Sequence, residues 1–436
     1  MTSDSQRGGP AGHPRGLSTL FFTELWERFS YYGMRALLIL FMVASVDRGG
    51  LGFDTRKAAT IYGLYTSAVY FMAIPGGWVA DRFLGQRRAV LAGGILIALG
   101  HYSLAISGLP LFYCGLILIV CGTGLLKPNI SAIVGQLYAP EDPRRDAGFS
   151  LFYMGINLGA FISPLVCGGL GQKIGWHWGF GAAGVGMTFG ILQYVLGGRR
   201  LGGAGLRVRR AAAPSGERET PRFTVVEVRR IAAIGILFLF SAVFWAAFEQ
   251  AGSSFNLFAD QRTRTSIMSW EFPSSWFQSV EPIFIILLSP VFAWLWVRLG
   301  RHEPSSPAKF ACGLLFVGIG PLLLAIASAS GAPDIRVSPL WLVLVYLFQT
   351  FGELCLSPVG LSMVTKLAPP RVVGLMMGIW FLSLALGNYI AGWAAGFFDI
   401  LPLTQLFGAI FLATAVSALV LVLSIRPIRR LMGGIH

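Results

Sequence analysis

Eight ionisable residues stand within stretches that are otherwise apolar: Glu24, Glu27, Arg28, Arg35, Lys127, Glu249, Glu281 and Glu353. Each charge at the centre of a membrane helix costs ~2.5–3.5 kcal/mol, so eight unpaired charges would cost on the order of 20 kcal/mol. That exceeds the net stability of a typical fold, so these residues must meet partners or line a wet cavity. Three are positive and five negative, a formal sum of −2. Buried carboxylates take up and release protons as burial and neighbouring cations change. Guanidinium and ammonium groups hold carboxylates. The set is therefore suited to binding protons and a charged small ligand. Its densest part reads Glu24-Leu-Trp-Glu27-Arg28-Phe29-Ser-Tyr31-Tyr32-Gly33-Met-Arg35. At helical spacing Glu24, Arg28, Tyr32 and Arg35 form one stripe, with Glu27 and Tyr31 beside it. A purely structural salt-bridge cluster would use the same spacing.

The elements that carry these residues are membrane helices. Of 436 residues, 55% are hydrophobic and 12% charged, and the mean hydropathy is +0.66. Soluble domains carry about 25% charged residues. The apolar runs approach the roughly 20 residues that cross a bilayer, and they are continuous rather than alternating, which predicts helices and excludes a barrel. Twelve spans are expected, at 17–46, 58–80, 88–107, 109–138, 147–170, 177–197, 229–259, 275–298, 308–330, 338–367, 372–397 and 404–425. At and near the span ends, 24 Lys and Arg lie on the side of the N-terminus and 7 on the other. This asymmetry predicts a multi-pass protein of a bacterial inner membrane with both termini cytoplasmic. It also accounts for the net charge of +14 without invoking nucleic acid. Met1 to Gly16 lack a basic start and a small-residue cleavage site, so no secretory signal is read there. Five scattered cysteines without a C-x-x-C pair indicate neither a disulfide framework nor a zinc site.

The spans divide six and six, giving one bundle over 1–197, a basic linker over 198–228 and a second bundle over 229–436. The linker contains Arg199, Arg200, Arg207, Arg209 and Arg210 without interleaved aromatics, which fits contact with anionic membrane lipids better than RNA. Gly77-Trp-Val-Ala-Asp81-Arg82-Phe-Leu-Gly85-Gln-Arg87-Arg88 joins spans two and three. Ordinary positive-inside charge explains its arginines but not Asp81 or the ordered glycines. Asp81 and Arg82 are therefore read as gating residues that lock neighbouring helix ends. Gly179-Phe-Gly181-Ala-Ala-Gly184 spells a dinucleotide fingerprint but lies in span six with no strand before it, so close helix packing is expected instead. Asn129-Ile-Ser131 spells a glycosylation site but lies within a span.

Two six-helix bundles and this loop resemble the major facilitator architecture. The E-x-x-E-R-F-x-Y-Y-G run is similar to the hallmark of the proton-coupled oligopeptide transporter family. Further matches follow in order: Tyr70 before Gly76-Gly77, Lys127-Pro-Asn-Ile-Ser, Phe152-Tyr-Met-Gly-Ile-Asn157-Leu-Gly, Phe244-Trp245-Ala-Ala-Phe-Glu249-Gln250, Glu353-Leu-Cys-Leu-Ser357-Pro358 and Trp380. They cover nearly all of both bundles.

The resemblance implies a proton-coupled symporter that imports di- or tripeptides by alternating access. Residues matching Arg28, Arg35 and Lys127 would hold the peptide carboxyl end, and Glu353 the amino end. Tyr32, Tyr70 and Asn157 match polar contacts along the ligand, and Trp245 and Trp380 match aromatic walls. Glu24 and Glu27 would exchange partners with Arg28 or Lys127 as protons and substrate arrive. Glu249 matches a residue that bridges to span one when the outer gate closes, with Arg35 as its expected partner. Ser357 shares a face with Glu353, and Pro358 offers a bend in span ten, although a proline merely packed by neighbours would look the same.

Three departures stand out. Glu281 replaces the family's usual Asn, where a carboxylate could bind an ammonium, serve as a second proton site or signal another cationic cargo. Gly63 stands where animal members carry a pocket histidine, and His101, His177 and His302 are scattered singly. The linker and the loop 331–337 lack the insertions of some relatives. Alternative cargoes are a cationic metabolite, a drug-like cation, a modified amino acid or nitrate, the last disfavoured by five carboxylates. A non-transporting receptor would be expected to show broken motifs. No metal cluster, nucleophile signature or Walker motif supports an enzyme, and no cofactor beyond protons is expected. The chain is expected to act as a monomer with protons, a small peptide and membrane lipids as partners.

Overall fold

The computed structural model describes residues 12–139, 141–206, 223–330 and 336–433. Outside the described residues lie most of the N-terminal segment, Arg207, Arg209 and Arg210 of the linker, and 331–335 of the loop before span ten.

Long helices dominate. The first half contains α1 (Arg15–Val43), α2 (Thr55–Phe71), α3 (Ala73–Val79), α4 (Gln86–Leu104), α5 (Leu109–Gln136), α6 (Arg145–Ser163), α7 (Gly169–Lys173) and α8 (Trp176–Gly197). The second half contains α9 (Val225–Phe248), α10 (Ser254–Gln261), α11 (Val280–Leu299), α12 (Ser306–Ser330), α13 (Leu340–Leu367), α14 (Val373–Ala395), α15 (Leu403–Leu423) and α16 (Ile425–Met432). Grouped across short breaks, the described residues form twelve long helical runs at the positions expected for spans. Nine are long and apolar enough to cross a membrane by composition. The others are the first three, and α1 falls short because it carries Glu24, Glu27, Arg28 and Arg35.

Several spans that read as single helices are interrupted. The second breaks at Met72 and ends in a π turn over Ala80–Leu84. The fifth passes through a π turn at Pro164–Gly168, where the proline removes a helical donor. The seventh breaks at Glu249–Gly252, and Ser253 leaves the helical region at φ −120°, ψ −97°. A carbonyl at that break is satisfied from a neighbouring helix, Gln349 donating to Phe248 O at 3.0 Å, and Gln250 of the break donates in turn to Ala391 O of α14 at 3.2 Å. Such repair is what membrane burial of broken helices demands. Helix α13, by contrast, runs through Pro358 without interruption. A short hairpin, β1 (Ser266–Ile267) with β2 (Trp270–Glu271), lies between α10 and α11.

Within the first half α1 packs on α6 and α8, and α4 on α5 and α8; within the second, α12 packs on α13 and α15, and α9 on α14. Between halves the main helix contacts are α2 with α14 and α6 with α11. Gly63 and Gly392 make the first of these possible, since a Cβ on Gly392 would stand 2.4 Å from the Gly63 Cα. The space beside Gly63 is thus filled by the backbone of α14. The glycines of span six also serve packing: Gly179 seats Leu37 and Gly184 seats Tyr102.

Hydrogen bonds between the halves cluster at one end of the molecule. Asn256 donates to Ala36 O at 2.8 Å, Trp276 to Leu165 O at 3.2 Å and Ser279 to Phe161 O at 2.7 Å; Thr55 bonds Asp399. A hydrophobic cluster shared by α1, α2, α10, α13 and α15 lies with them. At the other end Arg87 fastens the start of the linker, donating to Ala204 O at 2.6 Å and Gly202 O at 2.5 Å, and Gln136 accepts from Gly205 N at 2.8 Å.

Candidate functional site

Helix α1 sets out the first group. Arg28 lies between two acids of its own helix, with Nε 3.2 Å from Glu24 and in a shorter ion pair with Glu27. All three are at least 97% buried. Removing two carboxylates and a guanidinium from water is tolerable only because the pairing is this close. Capacity is left over: Glu24 Oε2, Glu27 Oε1 and Arg28 Nη2 have no hydrogen-bond partner among the described residues. Such buried polar atoms call for a further partner. Lys127 on α5 lies within electrostatic reach of both acids, and its Nζ stands 4.2 Å above the Tyr70 ring. Tyr70 itself packs into the core of the second half beside Trp245 and Trp380.

The second group joins the halves. Arg35, two turns beyond Arg28, forms an ion pair with Glu249 at the break after α9 and donates from Nε to Tyr62 OH at 2.6 Å. Gly252 makes this possible, because a Cβ there would lie 1.8 Å from Tyr62 OH and 2.8 Å from Arg35. The break in span seven and the glycine within it thus exist where a charge must be met.

The third group is in the second half. Glu281, in the first turn of α11, and Glu353 on α13 lie within electrostatic reach of each other and of Tyr153 on α6, whose backbone carbonyl accepts from Asn157 at 3.0 Å. Neighbouring carboxylates repel each other when both are ionised, so the pair is suited to a cation. Both are half-buried. Tyr32 lies between the groups, within electrostatic reach of Arg28, Arg35, Glu249 and Glu281. Trp245 and Trp380 are 8% and 3% exposed; Trp245 packs edge-on to Phe248 and Trp380 rests on Phe310 and Gly360.

Most residues expected at the site therefore come together, and a few do not. Asp81 is exposed and makes no ion pair among the described residues, while Arg82 lies over Trp78. Arg87 of the same loop donates to linker carbonyls. Ser357 is half-buried without a hydrogen bond among the described residues, and Pro358 lines a separate cavity with Trp296 and Lys366. Tyr62, Tyr153 and Gln136 were not singled out by sequence. Tyr153 stands four residues before Asn157 on one helix face, a spacing that could have found it. Tyr62 carried no comparable signal, because its partner is on another helix.

Over nearly its whole length the chain is similar to known proteins. A family model described as the POT family matches residues 87–202 and 219–410. The chain belongs to the POT family. It is 42% identical to the peptide transporter YePEPT of Yersinia enterocolitica, over 100% of this chain and 98% of that protein. It is 36% identical to a di-/tripeptide transporter of Lactococcus lactis subsp. cremoris, over 98% of each. Among solved structures, a mutant of peptide transporter POT in complex with alafosfalin superposes with a TM-score of 0.91 at 42% identity, covering 98% of both chains. This POT member is a multi-pass membrane transporter of the major facilitator fold, and not an enzyme. Coupling to protons is characteristic of the POT family.

The α2–α14 crossing gives a direct test of how the halves meet. Gly392→Val is expected to force these helices apart at a cost of about 1–3 kcal/mol. Gradient-driven uptake by this variant should fall roughly tenfold, while Gly408→Val, where a Cβ meets nothing within 4 Å, should leave uptake unchanged.

Proposed function

We propose that this transporter imports di- and tripeptides or peptide-like compounds together with protons. One observation carries the reading: cations with unused donor capacity on one wall and an unbalanced pair of carboxylates on the other match the two ends of a zwitterion. Arg28 and Lys127 receive the carboxyl end, Glu353 with Glu281 the amino end, and Tyr32, Tyr70 and Asn157 the backbone between. Trp245 and Trp380 wall the pocket, and water fills what a small side chain leaves. Ser357 stands near the amino-end wall on α13.

Protons enter through Glu24 and Glu27, whose partners Arg28 and Lys127 are released or recaptured as the ligand binds. The bundles, 1–197 and 229–436, rock about this site on the linker 198–228. Arg35 and Glu249 close the gate on the side away from the termini; Asp81, Arg82 and Pro358 act on the other. The termini lie in the cytoplasm of a bacterial inner membrane, as the basic residues at the span ends favour. The protein works as a monomer, without cofactor or nucleic acid. On this reading the clustered hydrogen bonds belong to a closed outer gate.

Dialanine uptake into proteoliposomes, with and without an inward proton gradient, tests the reading. Gradient-dependent uptake that unlabelled dialanine competes away supports it, and silence from folded protein overturns the peptide assignment. A cationic cargo is the second reading, because Glu281 adds a carboxylate where an amide is usual. Glu281→Asn separates the two. For a peptide carrier, dialanine uptake should persist within roughly tenfold, the effect of one hydrogen bond to a charge. For a cation carrier, it should appear only in the variant.

A further inference from the structure

A cavity of 740 Å³ opens at the end of the molecule that carries α16, away from the charged groups described above. It is walled by the end of α11, the turn into α12, the part of α13 from Pro358 onward, and α16. Lys309, Lys366 and Arg429 line it against a single acid, Glu303. Lys309 is 8% exposed, pairs with Glu303 and holds its Nζ 4.3 Å over the Trp296 ring. A lysine buried to that degree sits in a site rather than on a solvated surface. Ser305 and Ser306 line the cavity at the start of the 25-residue α12, bringing first-turn amides suited to an anion.

What surrounds the cavity narrows the anion to one source. Leu287, Val291, Trp294 and Val297 follow one another at helical spacing down α11 and are 61%, 49%, 55% and 82% exposed, an apolar stripe that descends beside the cavity. Helix α16 buries Ile428 and Met432 while Arg426, Arg429 and Arg430 remain exposed, the pattern of a helix lying in a membrane interface. We propose that this cavity binds the phosphate headgroup of an anionic phospholipid, with its acyl chains along the α11 stripe. A free phosphate would use the cations but leave the stripe unused. The leaflet is the cytoplasmic one, which rests on the orientation proposed above. Because Pro358, Val359 and Ser362 form one wall, the bound headgroup ties the second half of α13 to the α11–α12 turn.

Native mass spectrometry of the full chain in detergent, supplied with phosphatidylglycerol or phosphatidylcholine, tests this. Wild type should retain phosphatidylglycerol in preference, and Lys366→Gln/Arg429→Gln should lose that retention about tenfold. The control Arg56→Gln/Lys57→Gln, which removes as much charge from the exposed start of α2, should retain it fully. Equal retention of both lipids, or equal loss in both double variants, would overturn the proposal by reducing it to diffuse surface charge. Wild type alone supplies a further check. Displacement of bound phosphatidylglycerol by inorganic phosphate in the same concentration range would make this a free-anion site and overturn the lipid assignment.

Discussion

Glu249→Gln should lower gradient-driven uptake by two to three orders of magnitude. Its carboxylate meets Arg35 across the two halves, with both residues at least 94% buried. Removing one partner of a buried ion pair costs about 3–5 kcal/mol, because the remaining charge is left in low dielectric. At 1.4 kcal/mol per tenfold change, that removes most of the population with this end closed. Tyr62 cannot compensate, since a neutral hydroxyl does not balance a guanidinium. The double variant Arg35→Gln/Glu249→Gln removes the orphaned charge as well. It should regain the wild-type melting temperature and still fail to accumulate dialanine. That split separates gating from folding. Uptake by the single variant within twofold of wild type would remove the pair from the transport cycle.

The second large effect is expected at Arg28. Arg28→Lys keeps the charge but loses the guanidinium whose Nε meets both Glu24 and Glu27 and leaves Nη2 available. Each hydrogen bond between charged groups contributes about 1.5–3 kcal/mol, so losing one at the carboxyl end of a ligand should weaken binding on the order of 100-fold. Ligand chemistry tests the assignment independently. Wild type should bind dialanine far more tightly than its C-terminal amide, whereas Arg28→Lys should discriminate little between them. Persistence of full discrimination in the variant would place the ligand carboxylate elsewhere, with Lys127 as the next candidate.

Much of this was legible before any coordinates. A charge cannot remain in an apolar span without a use, so composition and span positions alone singled out the eight ionisable residues. All eight lie in ion pairs or polar contact groups in the fold. Arg35 with Glu249 was expected only through family resemblance, because 214 residues separate them. The loop after span two shows the opposite limit: its Arg87 bonds to linker backbone carbonyls, which carry no residue identity for a sequence to reveal.

What the sequence by itself determined is the class of molecule and its chemical inventory. Span number, the helical nature of each span and the presence of surplus carboxylate all follow from local periodicity and the cost of charge in lipid. Only the tertiary structure decided which charge meets which. The approach of Glu281 to Glu353, the contact of Gly63 with Gly392, and the facing of Pro358 into a separate cavity depend on how helices rotate and cross. Helix rotation is set by packing against distant segments, so the same inward-facing stripe in the sequence is compatible with several partners until the neighbouring helix is in place.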